Sequence, residues 1–182
     1  MSRAIGMIEF KTVSAGVTAA DLMVKTAAVE LIEAQVVCPG KYIALITGDL
    51  SAVDAAVATA KNQYPEQLID SFVLGNPHEG IFPAIYGTTY VEHVSSLGVL
   101  ETFDASAIIV AADIAAKTAD VELIELRIAK GMCGKSYLYL CGEVSAVDAA
   151  IARAKETVAG SGMFLDSTVI AHPDEQIIKS IL

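Results

Sequence analysis

Basic residues are scarce in this chain of 182 residues, which has 12 Lys and Arg against 22 Asp and Glu and a net charge of −10. Nucleic-acid binding depends on clustered Lys and Arg that face phosphates, so we expect no nucleic-acid partner. Long apolar runs are also missing, since none reaches the roughly 18 residues typical of a membrane span. The opening segment "MSRAIGMIEF" lacks the apolar core of a signal peptide. The sequence therefore predicts a soluble cytoplasmic protein with no membrane partner.

Cysteine is rare too, and its 3 copies exclude a disulfide framework and predict reduced thiols. Cys141 ends the apolar segment "YLYLC" and is expected to be a buried, inert thiol. Cys133 lies in the glycine-flanked turn "KGMCGK", where an exposed thiol is expected and a redox or ligand role is an open alternative. Cys38 precedes Pro39–Gly40, and Lys41 lies within reach to stabilise a thiolate. From the residues alone, a buried or incidental thiol at Cys38 is an equal alternative.

The motifs of common enzyme classes are missing as well. The sequence has no GxGxxG after a strand, no Walker loop, no HExxH and no GxSxG. His78, His93 and His172 are scattered without metal-ligand spacing, so we expect surface or capping roles for them. Glu9 and Glu101 recur at the end of matching strands, where a structural polar contact is favoured over a catalytic role. We therefore predict no enzymatic activity.

An internal duplication is the strongest positive signal. The matching pairs are "KTAAVELIE" at 25–33 with "KTADVELIE" at 117–125, "GDLSAVDAAVATAK" at 48–61 with "GEVSAVDAAIARAK" at 142–155, and "DSFVLGNPHE" at 70–79 with "DSTVIAHPDE" at 166–175. The offset grows from 92 to 94 to 96 residues, so the second half carries small insertions, the first of them in "IAKGMCGK", the turn that matches the one holding Cys38. A period near 92 is too long for a solenoid repeat. We predict two domains of one fold, residues 1–90 and 91–182.

Each half reads as the element order β-α-β-β-α-β-α. In the first half the predicted strands are 4–11, 29–37, 41–48 and 68–76, and the predicted helices are 18–28, 50–63 and 77–85. Thr18 and Asp21 fit a capping box, Lys25 follows Asp21 at i+4, and Ser51 is the expected N-cap of the second helix. This order predicts a two-layer α+β sandwich with a mixed or antiparallel sheet.

Each half also resembles a bacterial microcompartment shell domain. The stretches that carry the resemblance are "AIGMIE", "DLMVKTAAVELIE", "GDLSAVDAAVATA" and "VLGNPHE". The tandem arrangement with "CPGK" in the first half is similar to the iron–sulfur-binding tandem shell proteins of propanediol-utilisation compartments, and the similarity covers nearly the whole chain. It implies a ferredoxin-like-related fold and homotrimers shaped like hexagons, or pseudohexamers, that tile into a shell with other shell proteins.

The same resemblance implies that the strand-to-strand turn of each half lines a central pore. The pore-lining residues would be Pro39, Gly40 and Lys41 in the first half and Gly131, Met132, Cys133 and Gly134 in the second. On a three-fold axis Cys38 becomes a ring of three thiolates, which can hold a [4Fe–4S] cluster by three of its irons. The implied function is a shell protein that passes electrons across the shell, or delivers clusters, with an encapsulated or cytosolic redox enzyme as partner.

Two lysines at matching positions, Lys25 and Lys117, are expected at the outer edges of the tile, where they would govern lateral assembly. Two alternatives stay open. One is a plain shell tile whose open pore passes metabolites. The other is a ferredoxin-like regulatory module that binds a small ligand between its two halves.

Overall fold

The structure, a computed structural model, describes residues 3–182 and divides into two compact units, Met1–Pro77 and His78–Leu182. In chain order its elements are β1 (Arg3–Phe10), α1 (Val13–Thr26), β2 (Val29–Val37), β3 (Lys41–Asp49), α2 (Leu50–Gln63), β4 (Leu68–Gly75), α3 (Ile81–Tyr86), β5 (Ser96–Thr102), α4 (Ala105–Thr118), β6 (Val121–Arg127), β7 (Ser136–Gly142), α5 (Val144–Gly160), β8 (Phe164–Ala171) and α6 (Glu175–Ile181). The predicted order β-α-β-β-α-β-α is confirmed in both halves. No helix among residues 3–182 is long and apolar enough to cross a membrane.

Each unit contains one four-stranded sheet, with the order β2-β3-β1-β4 in the first and β6-β7-β5-β8 in the second. All neighbouring strands are antiparallel. In the first unit, the two helices pack on one face of the sheet, where Met23 of α1 and Val53 of α2 join Ile8 of β1 in one buried cluster. Because the side chains of a strand alternate between faces, every second residue of β1 and β3 faces these helices. The predicted two-layer α+β sandwich is confirmed.

Small residues let α1 lie close to the sheet. A side chain at Gly16 would place its Cβ 2.4 Å from Cβ of Tyr42, which lies on β3. Both residues are buried, so neither can move into solvent. Gly16 therefore sets the distance between helix and sheet.

We predict that Gly16→Ala lowers the free energy of unfolding by about 1–3 kcal/mol, because overpacking forces side chains or backbone to shift. Gly160→Ala is the matched control, because its Cβ would meet no atom within 4 Å at the end of α5. That substitution should leave stability unchanged or raise it by less than about 1 kcal/mol. Urea unfolding of both variants measures the difference, and equal stabilities would contradict this packing.

Three helix starts differ from the sequence predictions in position or capping, and one of them is α3, which begins at Ile81 instead of residue 77. Helix α1 begins at Val13, one turn before the predicted capping box, so Thr18 lies inside the helix and its hydroxyl donates to the carbonyl of Ser14 at 2.9 Å. The turn after β1 is only two residues long, which brings the helix start forward. Helix α2 begins at Leu50 with Asp49 at the N-cap position, so the prediction of Ser51 as N-cap is wrong.

Helix α3 belongs by packing to the second unit, although it follows the last strand of the first sheet. It packs against β6 and α4. Its buried residues are Ile81, Ala84 and Ile85. The chain passes from the first compact unit to the second between residues 77 and 78. The domains drawn from the sequence repeat, residues 1–90 and 91–182, stay a prediction.

Candidate functional site

The turn that holds Cys38 is a tight connection between β2 and β3. Val37 pairs with Lys41 in the antiparallel register, which leaves three residues, Cys38, Pro39 and Gly40, to reverse the chain. The Cys38–Pro39 peptide bond is cis, Gly40 has φ 95°, and its N–H donates to the carbonyl of Val37 at 2.9 Å. Cys38 is partly exposed, and Pro39 and Gly40 are exposed. The thiol is therefore open to a ligand or to another chain.

Lys41 makes an ion pair with Glu9. The carboxylate of Glu9 is buried, whereas Lys41 keeps some contact with solvent. Glu9 lies opposite Ile43 on β1 and β3, and Lys41 is two residues from Ile43, so the two charged side chains share one face of the sheet. The sequence suggested that this ammonium stabilises a thiolate at Cys38, but in the structure it compensates a buried carboxylate.

The second turn, between β6 and β7, is longer and strongly curved. Ala129, Gly131, Cys133 and Gly134 all have positive φ values, between 54° and 91°. For Cys133 this left-handed conformation costs roughly 1–2 kcal/mol relative to the right-handed one. Its thiol is exposed, as expected from the sequence. The carbonyl of Met132 accepts a hydrogen bond from Lys135 N–H at 3.1 Å and closes the turn.

Cys141 is buried, as predicted, with 2% of its surface exposed. It lies on β7 opposite Leu97 of β5. Burial, with a smaller contribution from the negative charge of Glu122, raises the pKa of the Cys141 thiol to about 11. A thiol with so high a pKa stays protonated near neutral pH, so it is a poor nucleophile and a poor metal ligand.

A single chain has no complete metal site within residues 3–182, where no group of three or more His, Cys, Asp or Glu side chains is arranged to hold an ion. Of the three histidines, His78 has a capping contact, because its Nδ1 accepts a hydrogen bond from Gly80 N–H at 3.2 Å. Any metal group at Cys38 therefore needs donors from further chains.

The sequence analysis missed a polar cluster on β6 and β7. Arg127 Nη2 lies 2.5 Å from Glu125 Oε1, and the hydroxyl of Tyr137 donates to Glu125 Oε2 at 2.9 Å. Burial, followed by the bond to Glu125, raises the pKa of Tyr137 to about 12. The spacing Glu-x-Arg on one strand face was a usable signal. It was missed because the repeat has Gln35 and Ile43 at the positions of Arg127 and Tyr137.

The two expected edge lysines occupy different environments. Lys25 pairs with Asp21 at 2.6 Å, and both side chains are exposed. Lys117 pairs with Asp113 at 2.7 Å, but Asp113 is buried and also accepts the backbone N–H of His78 at 2.7 Å. The two ion pairs have the same residue types in the repeat. Only Asp113 of the Lys117–Asp113 pair also binds the backbone N–H of His78, in the segment that leads into α3.

We predict that Lys41→Met lowers the free energy of unfolding by about 3 kcal/mol, because it leaves the buried carboxylate of Glu9 without a partner. Adding Glu9→Gln to this variant should restore more than half of the loss. Lys135→Met, at the matching and exposed position of the second half, is the control and should change stability by less than about 0.5 kcal/mol.

Chemical denaturation of the four proteins measures these differences. Equal losses for Lys41→Met and Lys135→Met would show that the ion pair is not needed to stabilise Glu9.

Comparison with known proteins agrees with this geometry. The family model described as BMC domain matches residues 4–77 and 96–173. The chain is 36% identical over 182 residues to the bacterial microcompartment shell protein PduT of Citrobacter freundii, covering 100% of this chain and 99% of that protein. One half, 44% of the chain, is 35% identical to the carboxysome shell protein CcmK2 of Thermosynechococcus vestitus and covers 83% of it.

Solved structures give the same answer. A microcompartment protein from Desulfitobacterium hafniense has a TM-score of 0.95 at 40% identity, and the match covers 98% of this chain and 99% of that protein. A fused permuted hexameric shell protein from the RMM microcompartment has a TM-score of 0.64 at 25% identity, covering 87% of this chain and 84% of its own. Sequence and fold agree over the full length, so the chain belongs to the BMC domain family and is a tandem shell protein of a bacterial microcompartment.

Proposed function

We propose that three copies of this chain form a pseudohexameric tile in which the Cys38 turns meet on the three-fold axis and hold a [4Fe–4S] cluster. The observation that carries this proposal is the position of Cys38. Its thiol is partly exposed in a three-residue turn, and residues 3–182 offer it no set of metal ligands within one chain. A ring of symmetry-related turns supplies the missing donors.

The residues around Cys38 suit such a cluster. Thiolate is the ligand that iron–sulfur clusters use, and three thiolates bind three irons and leave the fourth free for another ligand. Gly40 has no side chain, and a Cβ there would meet no atom within 4 Å, so the turn leaves room beside the thiol. Lys41 and Glu9 largely cancel each other's charge. Lys41 therefore contributes little net positive charge to balance the negative charge of the cluster.

The turn of the second half would line the same pore. Gly131, Met132, Cys133 and Gly134 form a loop whose exposed thiol lies next to glycine on one side. In this arrangement Cys133 shields the cluster or shares in its ligation. A tile plugged in this way closes the pore to metabolites.

Bound at this position, a [4Fe–4S] cluster supplies one-electron transfer. A shell that isolates its enzymes needs a route for electrons or for replacement clusters, and a tile with a redox group in its pore provides one. The partner of this tile is an encapsulated or cytosolic redox enzyme, and its neighbours in the sheet are other shell proteins. The role is structural and electron-handling, without turnover of a substrate.

A plain tile with an open pore is the alternative. The cluster-bearing tile contains iron, whereas the open-pore tile contains none. The third reading, a small-ligand regulatory module, fits poorly with a full-length match to microcompartment shell proteins. A sensor forms a discrete oligomer that responds to ligand, whereas a tile forms sheets or tubes when overproduced.

We predict that the protein reconstituted without oxygen is brown and carries about one cluster per three chains. Cys38→Ser should abolish the colour, because a hydroxyl oxygen is a poor ligand at a soft iron–sulfur site. The trimer should survive, because we expect its interfaces to rest on apolar packing away from this turn. Iron and sulfide analysis with electron paramagnetic resonance measures the cluster, and sedimentation velocity measures the trimer.

Cys141→Ala is the matched control and should keep the cluster, because this thiol is buried and protonated. Cys133→Ser tests whether the second turn helps to hold or shield the cluster. A partial loss of cluster in this variant would show that it does. A colourless, iron-free parent would support the open-pore tile instead.

We predict that Lys25→Ala and Lys117→Ala both reduce sheet formation but differ in their effect on folding. Lys25→Ala should change stability by less than about 0.5 kcal/mol, because its ion pair is exposed. Lys117→Ala should cost about 1–3 kcal/mol, because it removes a hydrogen bond from the buried Asp113. Electron microscopy of sheets and chemical denaturation separate the effects. Normal sheets in the double variant would contradict the edge role.

A further inference from the structure

The duplication repeats a cavity as well as a fold. In the first unit a cavity of about 430 Å³, the first cavity, lies where β3 ends and β2 begins, and it is lined by Arg3, Ala28, Glu30, Thr47, Gly48 and Asp49. In the second unit a cavity of about 370 Å³, the second cavity, lies where β7 ends and β6 begins. It is lined by the counterparts of all these residues, together with Glu92 and His93.

Three side chains of the first cavity lie next to one another on one face of the sheet. Glu30 of β2 lies opposite Thr47 of β3, and Asp49 follows Thr47 by two residues on the same strand. Opposed residues of neighbouring strands have Cβ atoms about 4.5–5.5 Å apart, and residues two apart on a strand share a face. Two carboxylates therefore adjoin one hydroxyl.

The hydroxyl of Thr47 has no hydrogen-bond partner among residues 3–182. Thr47 is 3% exposed, whereas Glu30 and Asp49 are exposed, so the hydroxyl lies deep in the cavity and the carboxylates lie at its rim. A buried hydroxyl without a partner costs free energy, and such groups are rare in folded proteins. A ligand in the first cavity would supply the missing partner.

The second cavity keeps the two carboxylates and has a thiol in place of the hydroxyl. Glu122 lies opposite Cys141, as Glu30 lies opposite Thr47, and Glu143 follows Cys141 by two residues and lines the same cavity. Cys141 is 2% exposed, so the thiol also lies deep in its cavity. The arrangement of two acidic residues around one buried group is therefore common to both halves.

Charge distinguishes the two cavities. In the first, Arg3 offsets one of two carboxylates, which leaves a formal charge of −1. In the second, Ser95 replaces Arg3, and Glu92 and Asp120 raise the number of carboxylates to four, which gives a formal charge of −4 with His93 neutral. Among residues 3–182 no group of three or more His, Cys, Asp or Glu side chains is arranged to hold a metal ion. Cavities of this size and sign suit an organic cation.

We propose that each cavity binds the primary ammonium group of a small aliphatic amine. An ammonium has three N–H donors and no acceptor. In the first cavity Glu30, Asp49 and Thr47 supply three acceptors, and the two carboxylates form charge-assisted hydrogen bonds. In the second cavity the thiol of Cys141 is a weaker acceptor, and the larger negative charge compensates for it.

This inference goes beyond the proposed tile and does not depend on its cluster or on its trimer. Each cavity is lined by residues of one unit of one chain. The ligand is a free amine, so the experiments use dilute protein and a small soluble amine. A lysine side chain of a neighbouring shell protein cannot produce the expected signal under these conditions.

Titration with propylammonium chloride is the first test. Gly48 and Gly142 each line one cavity, so their backbone amide resonances in the NMR spectrum of isotope-labelled protein report on the two sites separately. Both resonances should shift until the sites are saturated. Tetramethylammonium has the same charge but no N–H donor, and it should bind about tenfold more weakly because it makes no hydrogen bond to a carboxylate. Equal affinities for the two cations would overturn the inference.

Acidic residues are changed one cavity at a time in the second test. Glu30→Gln should weaken propylammonium binding about tenfold at Gly48 and leave Gly142 unaffected, and Glu122→Gln should do the reverse. Glu66→Gln is the matched control, because Glu66 is exposed and lines neither cavity, and it should bind like the parent at both sites. Shifts that all three variants leave unchanged would overturn the inference.

The third test separates a binding role of Thr47 from a merely structural one. Thr47→Val should weaken propylammonium binding at Gly48 about fivefold, the effect of one neutral hydrogen bond, and Thr47→Ser should keep the parent's affinity. Thr47→Val should also raise the melting temperature of the amine-free protein, because it removes a buried hydroxyl that has no partner. A Thr47→Val variant that is more stable yet binds propylammonium as tightly as the parent would overturn the assignment of this hydroxyl to the site.

Discussion

An edge strand with leucine and isoleucine on the helix-bearing face of its sheet has to be covered, and this requirement organises the molecule. In the second unit α3 meets it, and Asp113 fixes the entry of that helix through the backbone N–H of His78. The first unit has the same strand face without the same cover, which leaves Leu31 and Val36 exposed. An exposed apolar row of this kind is typical of an interaction surface.

In the proposed tile, assembly gives Cys38 its chemistry. One partly exposed thiol in a three-residue turn is a single ligand, whereas the proposed three-fold axis would bring three such thiols together around a cluster. The charges nearby are arranged for folding, because Lys41 compensates the buried carboxylate of Glu9. In this account the redox site depends on the subunit contacts, and the sheet behind the turn only holds Cys38 in position.

Much of the fold was predictable because its signals are local. Helix α2 and strand β2 match their predicted bounds. Alanine-rich helical spacing predicts the helix, and a run with β-branched residues predicts the strand. The start of α1 was not predictable from the apolar pattern, because it depends on a two-residue turn after β1 and on the contact of Gly16 with Tyr42. The pairing of Lys41 with Glu9 was hidden for a different reason, since it requires the register of β1 against β3. The unequal burial of Asp21 and Asp113 could not be read from two nearly identical segments, because it depends on where α3 packs.

Native mass spectrometry of the anaerobically reconstituted protein tests the central claim most directly, because it counts chains and clusters in the same particle. The account predicts a single main species with the mass of three chains and about one [4Fe–4S] cluster. A cluster on a single chain, or as many clusters as chains, would contradict the claim that Cys38 becomes a metal site only when three copies of the chain meet.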